Sequence, residues 1–562
     1  MRYQRTTGFW LTGVIAAVSL GLVALPSPNT AMADPSTTQT THVDCSSSAS
    51  GDGSIDHPVN GVDKLDKAFG PGKRVLFKRG TTCRGTVVVN ASGTNHARTL
   101  IGAYGQGKAP ILDAQGSATN QRSVIEVDDR SHITIQDLTV RNGWFSNISV
   151  EAHNGHVMEG ITVQRVAVEE NAWKGGPNKV TDNFWVMGVG GVIVMPCSAR
   201  SAIKDVVIDQ VEASRQHYAG VQVGYHQLHP WSDYEKGIKR DGYMVPTCFD
   251  QESKPYPHVS PVTGIQNAVI SNSSLHDNDA MGAGIFGATD VLLRNNDLYR
   301  NGSGIGNPGN TMNGTGAWWD TTRHVTAEWN NAWGNRVGYR GQDGTGLDAD
   351  RNTKNSIIQN NYLHDNGGYG ASVIAAYGDA SATIRHNLMV DNGTHDPDRS
   401  SDIMISSYSS PTEDGRSVTG QVSGLWIYGN TIHRDQGKGN APGIRLQSRY
   451  RPNTAISIVN NIVNRPGRGG IYSFQPTDAA EVDMVRGNLV STDGTFARTQ
   501  DVEGRPTFLS TARDNMNWPK GDSFRLAATS LGARNAVGYD NATLPGKAPT
   551  ARGATDLWGT TI

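Results

Sequence analysis

Three aspartates in the central part of the chain have the spacing that acid–base chemistry requires. Asp348 and Asp350 alternate with aliphatic residues in Gly346–Asp350, and Asp320 takes the position of Asp350 in the similar segment Gly316–Asp320. On neighbouring β-strands these side chains would share one face, about 6.5–7 Å apart along a strand and ~4.8 Å apart across it. Carboxylates this close raise one another's pKa, so that one is protonated while its neighbours are ionised. Such a group suits hydrolysis of a glycosidic bond, and the spacing leaves both the retaining and the inverting route open.

The same alternation recurs in other segments and predicts one continuous outward surface. The second and fourth positions are mostly aliphatic and should face a core, in Gly191–Met195, Gly220–Gly224, Gly316–Asp320, Gly346–Asp350, Gly443–Gln447 and Gly470–Phe474. The third and fifth positions then face outward. On this outward surface, two coils separate the aspartate pair from Arg445. Beside the catalytic candidates Asp348, Asp350 and Asp320, the residues predicted to bind substrate are Trp318, Arg445, Arg449, Tyr472, Tyr225 and His226. Aromatic rings offer flat apolar faces, and arginine can clamp a carboxylate or hydroxyl groups.

Other interpretations of these residues remain open. Clustered carboxylates also bind hard cations, so Asp343, Asp348 and Asp350 are candidate calcium ligands. Asp343 alone is more typical of a turn former, because its side chain can bond nearby backbone amides. Trp318 can also be explained as packing beneath a loop.

A loose internal repeat indicates how these segments are arranged. A short alternating strand is followed by a turn containing asparagine, and the second asparagine of each motif falls at 296, 331, 361, 387, 430, 461 and 488. Intervals of 20–50 residues are typical of solenoids and propellers. No amphipathic helix lies between the motifs, and each repeat is too short for the four strands of a propeller blade. The pattern therefore predicts an all-β fold, a single-chain parallel β-helix of about ten to twelve coils, with asparagines stacked from coil to coil.

The organisation that follows has five parts. We predict a signal peptide (1–33), an N-terminal cap region (34–84), the β-helix (85–500) with a long loop (226–262), and a C-terminal cap or tail (501–562). Arg2 and Arg5 precede an apolar run and a small-residue cleavage site near Ala33, which is the pattern of a secretory signal. A membrane anchor is the alternative, although the run is short for one.

Charge and cysteines agree with an extracellular protein. The 50 basic and 52 acidic residues give a net charge of −2, which argues against nucleic acid or an anionic membrane as partner. The four cysteines match no metal-site spacing and favour disulfides in a secreted chain. We favour Cys45–Cys83 and Cys197–Cys248, although the sequence permits three pairings.

Several segments resemble secreted right-handed parallel β-helix proteins of the pectate-lyase-like superfamily. Gly70–Gly80 with Ile101–Gly105 resembles their first coil, Asp343–Asp350 with Ser356–Asn366 resembles a recurring bacterial coil, and Asp522–Leu526 is similar to their tails. The resemblance implies a right-handed helix and bacterial polysaccharide-degrading enzymes, among which hydrolases, lyases, epimerases and tailspikes share one fold. The Asp-pair and Gly-His-Gly motifs of polygalacturonases and the Asp-Pro-His motif of alginate epimerases are missing.

These observations predict a secreted, monomeric enzyme that cleaves an extracellular polysaccharide. Glycoside hydrolysis by Asp348, Asp350 and Asp320 is the first hypothesis, without a required cofactor and with calcium possible. A calcium-assisted polysaccharide lyase is the second, because Arg445 and Arg449 could neutralise a uronate. A non-catalytic carbohydrate-binding or adhesion solenoid is the third.

Overall fold

The computed structural model describes most of the chain between residues 39 and 527. The described residues are 39–173, 188–197, 200–224, 264–302, 314–337, 343–376, 378–396, 400–411, 417–435, 437–439, 441–448, 453–464, 472–474, 482–491, 502–513, 524 and 526–527. The predicted signal peptide and the long loop 226–262 therefore lie outside the described residues. No helix among the described residues is long and apolar enough to cross a membrane.

Short parallel strands pair from coil to coil in three ladders, as expected for a parallel β-helix. Ladder 1 carries the candidate site and has twelve strands within the described residues: β4 (Val87–Val89), β7 (Ile125–Asp128), β9 (Ser146–Ala152), β11 (Gly190–Pro196), β13 (Ala219–Gly224), β16 (Met281–Arg294), β18 (Thr315–Glu328), β20 (Thr345–Ala349), β23 (Ala371–Ala375), β26 (Ile403–Ser407), β31 (Ile444–Ser448) and β34 (Tyr472–Phe474). Only neighbouring strands of successive coils pair, so each coil rests on the previous one.

Ladders 2 and 3 form the other walls. Ladder 2 contains β1 (Thr40–Val43), β2 (Arg74–Lys78), β5 (Thr99–Tyr104), β8 (Ile133–Arg141), β10 (Val157–Glu169), β12 (Ala202–Ser214), β14 (Ile265–Ser271), the ends of β16 and β18, β21 (Ser356–Gln359), β24 (Ala382–Arg385), β29 (Ser423–Tyr428), β32 (Thr454–Val459) and β35 (Val482–Arg486). Ladder 3 contains β3 (Thr82–Arg84), β6 (Ile111–Asp113), the ends of β8, β10 and β12, β15 (Ser274–His276), β17 (Asp297–Tyr299), β19 (Asn331–Trp333), β22 (Tyr362–His364), β25 (Leu388–Val390), β30 (Thr431–His433), β33 (Ile462–Asn464), β36 (Leu489–Val490) and β37 (Val502–Glu503).

Few elements lie outside the ladders. A 3-10 turn covers Val62–Lys64, and β27 (Ser409–Pro411) pairs antiparallel with β28 (Ser417–Thr419). Parallel pairing begins where Thr40–Val43 meets Arg74–Lys78, within the segment that the sequence assigned to the N-terminal cap region. The all-β parallel β-helix predicted from the repeat is thus confirmed.

Aliphatic residues fill the interior, and glycine is the second residue of β18 and of β20 for a steric reason. Leu347 and Ala349 are fully buried in the main core, as the alternation predicts. A Cβ on Gly346 would lie 2.6 Å from the carbonyl oxygen of Gly370 in the next coil. A Cβ on Gly316 would likewise lie 2.4 Å from the carbonyl oxygen of Gly346. Successive coils therefore approach closely only because these positions lack a side chain.

The predicted asparagine stack is present, with one correction. The side chains of Asn296, Asn330, Asn361, Asn387, Asn430, Asn461 and Asn488 are linked through amide hydrogen bonds of 2.9–3.0 Å. The sequence motif pointed to Asn331 in place of Asn330, which is wrong. Asn331 begins β19, and its amide instead donates to Asp297 Oδ1 at 3.2 Å.

A second asparagine stack was not predicted. Amide hydrogen bonds of 2.9–3.1 Å connect Asn278, Asn301, Asn335, Asn366 and Asn392, and the stack ends where Asn392 donates to Asp402. Asp402 is fully buried, and the guanidinium of Arg434 lies 3.6 Å from its carboxylate. Both stacks satisfy buried backbone groups at the turns, which would otherwise destabilise each coil.

Truncating a central member of the first stack should destabilise the β-helix. The buried Asn361 amide donates to Ala327 O, Gln359 O and Asn387 Oδ1, each at 2.9 Å. Asn361→Ala leaves several buried groups without partners, so we expect a loss of about 2–4 kcal/mol and a lower melting temperature. The exposed Asn95→Ala is the matched control and should melt like the wild type. Equal melting of the two variants would contradict a stabilising role for the stack.

One predicted disulfide is present. Cys45 and Cys83 are bonded with their Cα atoms 5.2 Å apart, which confirms that pairing. Cys197 is also disulfide-bonded. Cys248 lies outside the described residues, so its pairing with Cys197 stays a prediction.

The described part of the C-terminal segment packs along the side of ladder 3. The Arg513 guanidinium contacts the carboxylates of Asp365 at 2.6 Å and Asp391 at 2.5 Å. The Phe524 ring packs edge-on against His433, with ring centroids 5.3 Å apart. The described part of this segment therefore lies against ladder 3 of the β-helix.

Candidate functional site

Ladder 1 brings the three predicted aspartates together in the expected register. Trp318 pairs with Asp348, Trp319 pairs with Ala349, and the Asp350 amide donates to Trp319 O at 2.9 Å. Asp320 and Asp350 therefore occupy equivalent positions of successive coils. Since Leu347 and Ala349 face the core, Asp348 and Asp350 share the opposite face.

All three carboxyl groups are more buried than the sequence suggested. Asp320, Asp348 and Asp350 are 0%, 3% and 7% exposed. The Ser372 hydroxyl, one coil later, donates to Asp348 Oδ1 at 2.5 Å. The Thr321 hydroxyl donates to Asp320 Oδ1 at 2.8 Å. These contacts fix the orientation of two of the three groups.

Arg351 is a member of the site that the sequence analysis missed. Its Nε lies 3.2 Å from Asp350 Oδ2, its Nη1 lies 3.8 Å from Asp320 Oδ2, and its backbone amide donates to Asp350 Oδ1 at 2.9 Å. The guanidinium thus lies between two of the carboxylates and offsets their repulsion. Its place directly after Asp350, past the end of β20, was the available signal.

Burial and mutual repulsion shift the acid strength of the pair. Burial, with repulsion from Asp350 and Asp343, raises the pKa of Asp348 well above its usual range. Burial also raises the pKa of Asp350 to about 7, although the neighbouring Arg351 opposes this rise. Near neutral pH the site therefore combines a protonated carboxyl with a group that can release its proton.

A calcium site at the aspartates would need carboxylate oxygens that lie close together. Among the described residues, Asp343, Asp348 and Asp350 do not each bring a carboxylate oxygen within 4.8 Å of one another. A calcium ion needs six to eight oxygen ligands at 2.3–2.6 Å. As placed, these side chains do not form a preformed ligand cluster, and calcium binding stays a prediction.

Trp318 belongs to an apolar cluster on the outward face of ladder 1, which we call the aromatic cluster. Its buried members are Phe145, Val189, Tyr218, Ala219, Ala280, Met281, Phe286 and Trp318, with Trp144 and Trp173 packed against them. The Trp318 ring is 5% exposed and meets Phe286 edge-on at 4.8 Å. Its packing role is therefore clear, and its contact with a sugar stays a prediction.

Arg445 lies on the same face at a distance from the aspartates. The register runs from Asp348 through Ser372 and Met404 to Arg445, which is three strand spacings or about 14 Å. Two coils separate them, as predicted. Tyr369, which the sequence analysis missed, is half-buried between these regions. Burial, with repulsion from Tyr408 and Asp343, raises its pKa above the ordinary range.

Tyr472 does not have the predicted register. It pairs with Ile444, a buried core position, and Ser473 pairs with Arg445. The sequence alignment placed Tyr472 opposite Arg445, and the backbone register shows that this alignment is wrong by one residue. Tyr225, His226 and Arg449 lie outside the described residues.

A second pair of acids on ladder 1 was also missed. Asp128 and Glu151 occupy equivalent positions on β7 and β9. Although Asp128 is partly exposed, desolvation of its carboxyl and repulsion from Glu151 and Glu126 raise its pKa to about 6. His153 Nε2 lies 3.3 Å from Glu151, and Cys197 is nearby, but a disulfide-bonded cysteine cannot offer a metal-binding thiolate.

Comparisons with known proteins identify the fold. Residues 262–432 match the family model of the right-handed β-helix region. No curated protein matches the sequence. The PL6 family alginate lyase AlyGC has a TM-score of 0.51 at 13% identity, over 91% of this chain and 60% of that one. The chain thus spans less than two thirds of that lyase.

Two further solved structures are similar over much of their length. The GH136 lacto-N-biosidase of Eubacterium ramulus has a TM-score of 0.47 at 14% identity, over 83% of this chain and 68% of that one. The A-module of mannuronan C-5 epimerase AlgE4 of Azotobacter vinelandii has a TM-score of 0.41 at 14% identity, over 72% of this chain and 90% of that one. The family match and the three ladders together show that this chain is a right-handed parallel β-helix protein.

Proposed function

We propose that this protein is an extracellular glycoside hydrolase that cleaves a polysaccharide with the carboxyl groups of ladder 1. The observation that carries the proposal is the coupled pair of Asp348 and Asp350, whose pKa values are both raised on one strand face. Hydrolysis of a glycosidic bond needs a protonated acid for the leaving oxygen and an ionised partner. The solved β-helix structures similar to this chain include a lacto-N-biosidase and alginate lyases, so the fold accommodates both reactions.

The surroundings of each aspartate suggest its role. Asp348 is the general acid, since burial keeps its proton bound and its hydrogen bond is donated by a neutral hydroxyl, that of Ser372. Asp350 is the base or nucleophile, because Arg351 lies against it and its pKa of about 7 permits ionisation near neutral pH. Asp320 holds the other end of the Arg351 guanidinium and so positions it.

The alternative is a polysaccharide lyase, for which the site offers weaker support. A lyase needs a base that removes a proton beside a uronate, with a cation or arginine that neutralises the carboxylate. Arg445 lies on the face of the aspartates, and Tyr369 interacts electrostatically with both Arg445 and Asp348. The raised pKa of Tyr369, however, opposes formation of a tyrosinate near neutral pH.

The product distinguishes the two reactions. The purified protein should be incubated with a panel of neutral and uronate polysaccharides. A hydrolase releases reducing sugar without a new ultraviolet absorbance, and this is the expected result. An unsaturated, ultraviolet-absorbing product would establish the lyase instead. Polymer binding without any product, unaffected by loss of the aspartates, would support the binding solenoid.

Arg351 should set the acid limb of the pH–activity profile. Its positive charge favours the ionised form of Asp350, so Arg351→Gln should raise the pKa of Asp350 further. Since Asp350 acts as the ionised partner, we expect the acid limb of kcat/KM to move to higher pH by roughly one unit. Arg351→Lys keeps the positive charge, so its acid limb should lie close to that of the wild type. Arg294→Gln, which removes a partly exposed arginine outside the site, should leave the profile unchanged. An unshifted acid limb in Arg351→Gln would argue against this role of Asp350.

A further inference from the structure

The chain turns from ladder 1 into ladder 2 directly after Asp350, and this corner is one residue longer than the corner of the previous coil. Trp319 pairs with Ala349, an offset of 30 residues, whereas Arg323 pairs with Lys354, an offset of 31. The additional residue therefore lies between Ala349 and Lys354. By contrast, β16 and β18 pair with an offset of 34 residues throughout, so the insertion is a feature of the coil that carries the site.

The inserted corner contains two successive residues with left-handed backbone angles. Arg351 has a φ of 25° and Asn352 a φ of 46°. Side chains other than glycine disfavour this region, so such a turn is strained unless its surroundings hold it. A one-residue insertion beside a strand redirects the side chains next to it. Here the Arg351 guanidinium comes to lie between Asp320 and Asp350, with its central carbon 5.9 Å from the centre of the Trp318 ring.

Arg323, in the corner of the previous coil, holds this turn through its side chain. Its Nη1 donates to Asn352 O at 2.6 Å and to Thr322 O at 2.7 Å, and its Nη2 donates to Asn352 Oδ1 at 3.3 Å. Arg323 is half-buried and forms no ion pair within the described part of the chain, and burial lowers its pKa. A half-buried guanidinium without a carboxylate is costly, so its hydrogen bonds to the turn are what keep it there.

The turn is also held from the next coil. Asn352 is 5% exposed, and a Cβ on Gly378 would lie 2.7 Å from Asn352 Oδ1, so the two coils are in close contact. The backbone amide of Thr321 donates to Arg351 O at 3.0 Å. The turn is thus enclosed between two coils, and Arg323 supplies the charged contact that bonds both its backbone and its side chain.

We infer that Arg323 is a positioning residue, which holds the Arg351–Asn352 turn and thereby keeps the Arg351 guanidinium between Asp320 and Asp350. The inference rests on the proposed function, in which Arg351 favours the ionised form of Asp350. Since the hydrogen bonds of Arg323 go to Thr322 and to the turn, it acts through Arg351 and not on the substrate. Without these bonds the turn can relax to ordinary backbone angles, and the guanidinium then leaves the carboxylates.

Steady-state kinetics of the full chain, on the polysaccharide that the panel identifies, test the link to Arg351. In Arg323→Gln we expect kcat to fall roughly tenfold with KM nearly unchanged, because the reacting groups are misplaced while the substrate contacts remain. Arg323→Lys keeps a charged donor that can bond one carbonyl, so it should recover part of the loss. In chains that already carry Arg351→Gln, adding Arg323→Gln should cause little further loss, because the group that it positions is absent.

Arg98 provides a matched control far from the site. It is half-buried, its pKa is lowered by burial, and its Nη2 donates to Ile133 O at 2.7 Å and to Gly160 O at 2.5 Å in the next two coils. Arg98→Gln therefore removes the same kind of contact between coils. It should lower the melting temperature as Arg323→Gln does, and it should leave kcat unchanged.

Hydrogen exchange measures the hold on the turn without any substrate. The amide of Thr321, bonded to Arg351 O, reports on the junction of the two corners. Exchange in peptides that contain this amide should be several-fold faster in Arg323→Gln than in the wild type, since local opening becomes easier. Arg98→Gln should leave this exchange unchanged.

The contrary results are distinct. Unchanged exchange in Arg323→Gln overturns the inference, as does a loss of kcat that is equally large with and without Arg351, or an equal loss in Arg98→Gln. If the wild type hydrolyses no polysaccharide of the panel while Arg323→Gln still accelerates exchange, the proposed function fails and the hold on the turn stands.

Discussion

Replacing Asp348 or Asp350 by asparagine is expected to lower turnover at least ~10²-fold while the β-helix stays folded. Asparagine keeps the size and most hydrogen bonds of the side chain but cannot exchange a proton. Both positions lie on one strand face, at 3% and 7% exposure, where water replaces a missing acid poorly. The measurement is the rate of reducing-sugar release on the polysaccharide that the panel identifies.

The control for this prediction is an aspartate outside the site. Asp290 is exposed on the opposite wall of the chain's coil, in the ladder 2 end of β16, and its Oδ1 lies 3.2 Å from His324 Nδ1. Asp290→Asn should keep normal activity. If both site variants remain active, catalysis lies elsewhere on the β-helix. Activity that falls and then returns with millimolar calcium would make the cluster a metal site and favour the lyase.

The alternation of aliphatic residues was sufficient to predict the fold and the position of the three aspartates. It works because a strand has a period of two, and burial of Leu347 and Ala349 leaves only one face for Asp348 and Asp350. The same argument failed at Tyr472. There the strand pairs Ile444 with Tyr472, one residue later than an alignment of Gly443 with Gly470 gives, so the glycine did not mark the register.

Contacts between distant residues could not be predicted in the same way. Ser372 contacts Asp348 only because the next coil is stacked on β20, and no local pattern marks it. The contact of Arg351 with Asp320, in the previous coil, depends on stacking in the same way, although its place beside Asp350 is visible in the sequence. The burial of Asp320, Asp348 and Asp350 was missed because alternation shows which face a side chain takes. It does not show what else lies on that face.

The second asparagine stack illustrates the same limit. Asn335 and Asn366 come five residues after the first-stack members Asn330 and Asn361. They are single asparagines, whereas the repeat was recognised from the adjacent pairs of asparagines before them. The hydrogen bonds themselves distinguish the stacked residue from its neighbour, as Asn330 and Asn331 show.

The burial that raises the pKa of Asp350 should also lower the stability of the protein when this carboxyl is ionised. Asp350→Asn is therefore expected to melt at a higher temperature than the wild type at neutral pH. The pKa of Asp350 rises from 3.8 to about 7 on folding. A carboxyl group with a raised folded pKa favours the folded state fully below pH 3.8, and this contribution is lost as the pH rises to about 7. Asparagine carries no such penalty, and Asp320 remains as a partner for Arg351.

We therefore expect the free energy of unfolding of Asp350→Asn, relative to the wild type, to be roughly 2–4 kcal/mol higher at pH 7.5 than at pH 4. Other acids with raised pKa values, such as Asp128 and Asp391, titrate in both proteins, so the difference between the two melting curves reports on Asp350 together with Asp348, whose pKa it raises. Asp290→Asn provides the baseline. A variant that melts at or below the wild-type temperature at neutral pH would mean that the Asp350 carboxylate stabilises the fold. Higher stability with lost activity would instead identify Asp350 as a group retained for chemistry at the expense of stability.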